Sequence, residues 1–332
     1  MSDAAKMGVM VKGAKYFESF AKADTIVFDK TGTLTEGQPT VTAWLWAQYQ
    51  EEDFKRILLA TEMNSPDPLA AAITAALREE RITPAPLDGC GVLKGKGVKS
   101  LCNGTEYWVG SHKLLKDYRA YLSDVLGDML VEYESEGNSI VYFGREDELL
   151  AIIAVKDRLK ATASGVVKEL RGQGLDICML TGDGERTASA IAGKLGIIRY
   201  MSDAQPEDKE AFIRELRLQG KKVVMVGDGV NDAQALAAAD VSIAAGASAG
   251  DGLADKAMIV MKSADLQSLP RLFGLSRHTL RLMRRNFFRT MAFHLAGVLV
   301  AAGILYPVYG ILLTPILAVT VIALSCIMPV KG

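Results

Sequence analysis

Asp29 is followed by Lys30, Thr31, Gly32, Thr33, Leu34 and Thr35, and preceded by the apolar run Thr25 to Phe28. A carboxylate that ends a short buried strand lies where open α/β sheets place their ligands. Glycine and small hydroxyl residues after it leave backbone N–H groups and hydroxyls free to hold phosphate oxygens. The chemistry this arrangement suits is attack of the Asp29 carboxylate on a phosphoryl group, giving an aspartyl-phosphate.

Two more segments run from an apolar strand into a polar turn. Leu175–Leu180 leads into Thr181-Gly182-Asp183-Gly184, and Val223–Val226 leads into Gly227-Asp228-Gly229-Val230-Asn231-Asp232. Between them Pro206-Glu207-Asp208-Lys209 opens a charged helix. In a parallel sheet these turns converge on one edge. Thr181 would then sit near phosphoryl oxygens, Lys209 would supply a fixed positive charge, and Asp228 and Asp232 would serve as Mg²⁺ ligands or their neighbours, since Mg²⁺ takes a few carboxylates plus phosphate and water.

The run Asp29 to Thr35 resembles the phosphorylation motif Asp-Lys-Thr-Gly-Thr-Leu-Thr of P-type ATPases, and the order of the other loops resembles their haloacid-dehalogenase-like catalytic domain. The resemblance implies catalytic roles for Asp29, Lys30, Thr31, Thr181, Gly182, Asp183, Lys209 and Asn231, with Asp29, Thr31, Asp228 and Asp232 around Mg²⁺. Phosphatases of that superfamily usually carry a second aspartate two positions after the nucleophile; here that position is Thr31. Slow hydrolysis of the phosphoenzyme is the expected result, which suits a pump.

An insert of about a hundred residues separates the first motif from the strand Leu149–Val155. Thr40–Leu45 and Glu106–Val109 alternate as antiparallel strands do, and Glu51 to Arg78 reads as helical. The insert resembles the nucleotide-binding domain of the heavy-metal class, type IB. Glu62-Met63-Asn64-Ser65-Pro66-Asp67-Pro68-Leu69-Ala70 is similar to that class's Glu…Ser-x-His-Pro-Leu-Ala motif, with Asp67 in place of the histidine. Gly95-Lys96-Gly97-Val98 is similar to its Gly-x-Gly-Val loop. The resemblance implies an ATP site at Glu62, Asp67, Gly95 and Gly97, the glycines letting backbone approach the nucleotide. An aspartate, unlike an imidazole, only accepts hydrogen bonds and adds charge near the phosphates.

The end of the chain differs in character. Phe287 to Tyr306 is mostly apolar, Pro307-Val308-Tyr309-Gly310 makes a turn, and Ile311 to Val330 carries no formal charge. Each arm has the length of a bilayer-spanning helix. Arg277, Arg281, Arg284 and Arg285 before the first arm and Lys331 after the second fit a hairpin with cytoplasmic ends. Where copper pumps of the class carry Tyr-Asn and Met-x-x-Ser-Ser, the chain has Phe293-His294 and Ile322-Ala323-Leu324-Ser325-Cys326. His294 and Cys326 are candidate soft ligands for a transported copper, silver or zinc-like cation, or packing residues.

With 332 residues the chain exceeds one ordinary core, and its net charge of −1 gives no electrostatic case for nucleic acid. Its four cysteines, Cys90, Cys102, Cys178 and Cys326, form no Cys-x-x-Cys pair and read as reduced cytosolic thiols or core residues rather than a disulfide frame. The expected fold is α/β: a haloacid-dehalogenase-like, Rossmannoid parallel sheet with an inserted α+β nucleotide-binding domain and a C-terminal transmembrane helical hairpin. The expected divisions are 1–20, the cytoplasmic end of a preceding membrane helix; 21–38 and 153–276, the catalytic domain; 39–152, the nucleotide-binding domain; and 277–332, the hairpin with its basic flank. The six earlier membrane helices and the actuator domain of a complete pump are absent from this sequence. The expectation is therefore the carboxyl-terminal half of a heavy-metal pump, in a membrane with its catalytic domains cytoplasmic, phosphorylated by Mg²⁺·ATP and needing the missing half to transport. The alternatives are a membrane-tethered phosphatase of the same superfamily and a non-transporting regulatory fragment.

Overall fold

The computed structural model describes residues 2–47, 51–228, 232–246, 256–302 and 307. Two sheets organise them. In the first, the strand order is β1 (Val9–Val11), β13 (Ile259–Met261), β12 (Val241–Ala245), β11 (Val223–Gly227), β2 (Thr25–Asp29), β9 (Asp176–Leu180) and β10 (Arg199–Met201). Every pairing is parallel except that of β1 with β13. Residues of β2, β11 and β12 are buried throughout, as strands covered on both faces must be. Helices α7 (Ala163–Gly172) and α8 (Glu185–Leu195) cover one face with α2 (Ala14–Ala21), while α9 (Pro206–Leu218) and α10 (Ala233–Ala238) cover the other.

The amino terminus joins the first sheet. Residues 9–11 form an edge strand of this sheet, and Phe20 on α2 packs edge-on against Phe273, ring centroids 5.3 Å apart. Residues 9–20 therefore pack onto the first sheet, because Val9, Phe17 and Phe20 are apolar residues that the sheet and its helices bury.

The second sheet is antiparallel, in the order β3 (Thr40–Trp46), β8 (Glu148–Lys156), β7 (Ser139–Arg145), β6 (Thr105–Gly110), β5 (Gly97–Cys102) and β4 (Gly89–Leu93). Side chains alternate between its faces. Val109, Val141, Phe143 and Ile153 meet α3 (Glu51–Glu62) and α4 (Pro68–Glu79), while Trp108, Tyr142 and Ile152 meet α5 (His112–Asp117) and α6 (Asp124–Ser135). The expected boundary at 152 falls inside β8, which belongs wholly to this inserted sheet between β3 and β7. Its continuous apolar run looks like a parallel-sheet strand, but it is buried because helices cover both faces of the insert.

Helix α11 (Ser268–Ala301) starts against α2 and α7, burying Leu269, Leu272 and Phe273, and then exposes Phe287, Phe288, Met291, Leu295 and Val298. Among the described residues no helix is long and apolar enough to cross a membrane. The first arm of the expected hairpin lies on α11 as far as Ala301; the second arm, with Cys326, lies outside the described residues, as does Asn231.

Candidate functional site

Strands β9, β2 and β11 are neighbours with parallel registers, Asp29 opposite Leu180 and Phe28 opposite Val226. That register delivers Asp29, Thr181 and Asp228 to one edge. The chain leaves β2 through a tight turn over Lys30–Leu34, with Gly32 at φ +70°. A Cβ on Gly32 would lie 1.5 Å from Asp228 Oδ2, so the turn needs glycine both for its backbone and for the closeness of that carboxylate. Gly32 N–H donates to Thr35 Oγ1 at 2.9 Å, and the Thr35 hydroxyl donates to Asp157 Oδ2 at 2.5 Å.

Asp29, Asp228 and Asp232 converge, one oxygen from each lying within 4.8 Å of the others. Lys209 Nζ, from the first turn of α9, bridges two of them, at 2.5 Å from Asp29 Oδ1 and 2.9 Å from Asp232 Oδ1. One ammonium does not balance three carboxylates. Burial and the charge of Asp232 push Asp29 up to about 7. Burial and Asp29 push Asp228 up to about 6, and burial raises Asp232 as well. Burial opposes the charge on Lys209, but Asp29 and Asp232 together outweigh it and hold its pKa above the ordinary lysine value. An oxygen-only set with surplus negative charge, partly open at Asp228, fits a hard divalent cation such as Mg²⁺.

A second charge pair flanks the first. Lys30 is buried and ion-paired with Asp183. Asp183 also accepts from Thr181 Oγ1 at 2.8 Å and from Ser139 Oγ, on the inserted sheet, at 2.5 Å. Burial disfavours the Asp183 charge, yet Lys30, Ser139 and Thr181 overcome it and lower the pKa. Thr181 is buried, Thr31 half-buried and Gly182 exposed at the rim.

The insert's candidate residues do not gather equally well. Glu62, at the end of α3, is buried, and burial together with the Asp67 charge pushes it up to about 8. Asp67 is the N-cap of α4, its Oδ1 accepting from Leu69 N–H at 2.8 Å. It touches solvent in a crowded cleft, where burial raises its pKa and the charges of Asp183 and Lys30 also reach it. The two glycines have reasons within the fold. A Cβ on Gly97 would lie 2.0 Å from Val109 O on the neighbouring strand, and one on Gly95 would lie 2.2 Å from Gln205 Oε1. Their lack of side chains thus serves strand pairing and contact with the catalytic layer. His294 is exposed on α11, far along the chain from the carboxylate cluster.

Sequence reasoning passed over three residues here. Asp157 holds the hydroxyl of Thr35, Ser139 holds Asp183, and Lys160 Nζ caps the carbonyls of Gly32 and Thr33, each at 2.7 Å. The charged cluster Lys156-Asp157-Arg158-Leu159-Lys160 directly after an apolar strand was the signal available.

A family model described as haloacid dehalogenase-like hydrolase matches residues 23–240. A copper-transporting P-type ATPase of Rhizobium leguminosarum bv. viciae is 38% identical over 321 residues, 96% of this chain and 38% of that protein. A silver exporting P-type ATPase of Salmonella typhimurium is 39% identical over 326 residues, 97% of this chain and 39% of that protein. The chain thus spans about two-fifths of the length of these curated relatives. Among solved structures, a zinc-transporting PIB-type ATPase in its E2.Pi state is similar, with TM-score 0.65 and 31% identity, over 99% of this chain and 52% of that one. A parallel sheet carrying Asp29 at its ligand edge, an antiparallel insert and these matches lead to one conclusion: the chain belongs to the haloacid dehalogenase-like hydrolases, and over nearly its whole length it is homologous to the heavy-metal-transporting P-type ATPases.

Proposed function

We propose that this chain takes the γ-phosphoryl group of ATP onto Asp29, as the catalytic part of a heavy-metal cation pump. The observation that carries the reading is Asp29 at the sheet edge, hydrogen-bonded to Lys209 and grouped with Asp228 and Asp232. Asp29 would attack phosphorus in its ionised form, forming the carboxyl O–P bond as the bond to ADP breaks. Lys209 keeps Asp29 oriented and supplies positive charge as negative charge develops on the transferring group. Asp228 and Asp29, with Asp232 beside them, would hold Mg²⁺, which when bound supplies charge neutralisation of the phosphates. Lys30, fixed by Asp183, and the Thr181 hydroxyl would face the phosphoryl oxygens. No carboxylate stands at position 31 to activate water, which favours a lasting phosphoenzyme over a phosphatase.

In this reading the insert delivers ATP. Glu62, kept protonated by burial, would donate a hydrogen bond to the nucleotide, and Asp67 would lie near its phosphates. The transported ion is a copper, silver or zinc-like cation, since the matched relatives move copper and silver and the matched structure is a zinc transporter. Transport would need the rest of a pump and a membrane, with α11 and the segment after it forming the last hairpin. The test is labelling from γ-labelled ATP with Mg²⁺ followed by acid quench. Hydroxylamine-sensitive label on the parent and none on Asp29→Asn is expected. Undiminished label on that variant would refute the assignment.

A further inference from the structure

Lys160 lies in the segment that returns from the inserted sheet to the catalytic layer. Its ammonium donates to Gly32 O and Thr33 O at 2.7 Å each and to Ala264 O at 2.9 Å. An ammonium has three donors, and here three carbonyl oxygens use all of them. Two belong to the turn after Asp29. The third belongs to the lead-in of α11, a stretch anchored by its own bonds: Thr162 Oγ1 donates to Asp265 Oδ1 at 3.1 Å, and Asp265 Oδ1 accepts from Gln267 N–H at 3.1 Å. The buried Leu266 and Leu269 follow directly. The same segment holds the turn by backbone as well, since Lys160 N–H donates to Leu34 O at 3.0 Å.

Gly32 is where this matters for chemistry. Its Cα lies so close to the Asp228 carboxylate that a methyl group would not fit. A shift of the Gly32 carbonyl would therefore move the turn relative to Asp228, and with it the relation of Asp29 to its neighbouring carboxylates. Charge-assisted bonds to two successive carbonyls resist such a shift far better than water would.

We propose that Lys160 is a positioning residue for phosphorylation of Asp29, and that its three carbonyl contacts join the phosphorylation turn to the lead-in of α11 as one mechanical unit. The proposal rests on the reading of Asp29 as nucleophile for its catalytic half, and on geometry alone for the joint. Arginine is a poor replacement, because a planar fork cannot aim three donors at three converging carbonyls as a tetrahedral ammonium does.

The experiment uses the full chain with Lys160→Met and Lys160→Arg. The first readout is the labelling rate at saturating ATP together with KM for ATP. For Lys160→Met the rate should fall at least about tenfold, the scale of a small misplacement at a reacting centre, with KM within about twofold, since the insert is untouched. Lys160→Arg should recover part of the loss. The second readout is amide exchange without ligand, in which residues 31–34 and 262–268 should loosen together in Lys160→Met. A rate within twofold of the parent, a KM that rises in proportion to the lost rate, or loosening of the turn without the lead-in would each overturn the proposal. If Lys160→Met does not fold, Lys160→Arg is read instead: a rate between the parent's and an about tenfold loss, with turn and lead-in loosening together, is expected. A rate equal to the parent's, or loosening of the turn alone, would overturn the proposal. If the parent itself takes no label, the reading of Asp29 fails separately, and the exchange data still decide for or against the joint.

Discussion

Replacing Glu62 by glutamine tests how the insert's buried carboxylate is held. Glu62 is 5% exposed, and burial followed by the Asp67 charge moves its pKa from 4.5 to about 8. In the unfolded chain it ionises near 4.5, whereas in the fold it stays protonated until about pH 8. A raised carboxylate penalises folding as pH increases: nothing is lost below the unfolded pKa, and the loss is complete above the folded one. Each pH unit in that window costs about 1.4 kcal/mol, so at pH 7 the penalty is roughly 3 kcal/mol. A glutamine side chain would keep the shape and donate hydrogen bonds without titrating. Glu62→Gln should therefore match the parent near pH 4.5 and exceed its stability by about 3 kcal/mol at pH 7. All three tryptophans, Trp44, Trp46 and Trp108, lie in the inserted sheet, so urea unfolding followed by tryptophan fluorescence reports this layer alone. Parallel stability profiles for parent and variant from pH 5 to pH 8 would mean that Glu62 is charged in the fold, and the argument from burial would be wrong.

Gly32→Ala should raise the Mg²⁺ needed for labelling at least about tenfold, because its methyl group displaces Asp228 and sits at a φ that costs an L-residue roughly 1–2 kcal/mol; a Mg²⁺ titration checks it. Asp67→Asn keeps a capping oxygen for α4 and removes a charge, so ATP affinity by calorimetry should rise with little change in melting temperature, whereas Asp67→Ala should lose about 1 kcal/mol of insert stability. Equal stability for the two variants would show that the cap contributes nothing. Gly97→Val should cost several kcal/mol in the tryptophan-monitored transition, as expected for a side chain forced onto a neighbouring strand's backbone; an unperturbed transition with weakened ATP binding would return Gly97 to a nucleotide-facing position.

The residues at the sheet edge were legible because their signals are local. An apolar strand that ends in Asp29, and two more that end in Thr181 and Asp228, announce themselves within a few residues, and parallel pairing then brings them together. The residues that brace them were not legible. Asp157 and Lys160 reach the turn from more than a hundred positions away, and nothing in their neighbours specifies that partner. The expected boundary at 152 divides the strand Glu148–Lys156, because an unbroken apolar run marks burial on both faces and not which sheet does the burying. Asp67 was read against a histidine for its chemistry toward a nucleotide. Pro68 directly after it was the available sign of a helix start, where an aspartate accepts backbone hydrogen bonds.

The insert leaves and re-enters the catalytic layer through paired strands of chain. Thr35 bridges Leu159, Glu36 N–H donates to Arg158 O at 2.8 Å, and Lys160 N–H donates to Leu34 O. This has a consequence for how the chain folds. Pairing β2 with β9 joins residues about 150 positions apart, a slow search with a high loop-closure cost. If the insert folds first, its own ends meet, and the loop left to close shrinks to roughly 20 residues, saving about 2 kcal/mol of closure entropy. The inserted domain would then act during biosynthesis as a clasp for the domain that surrounds it. Destabilising it should slow formation of the parallel sheet even where the finished sheet is untouched.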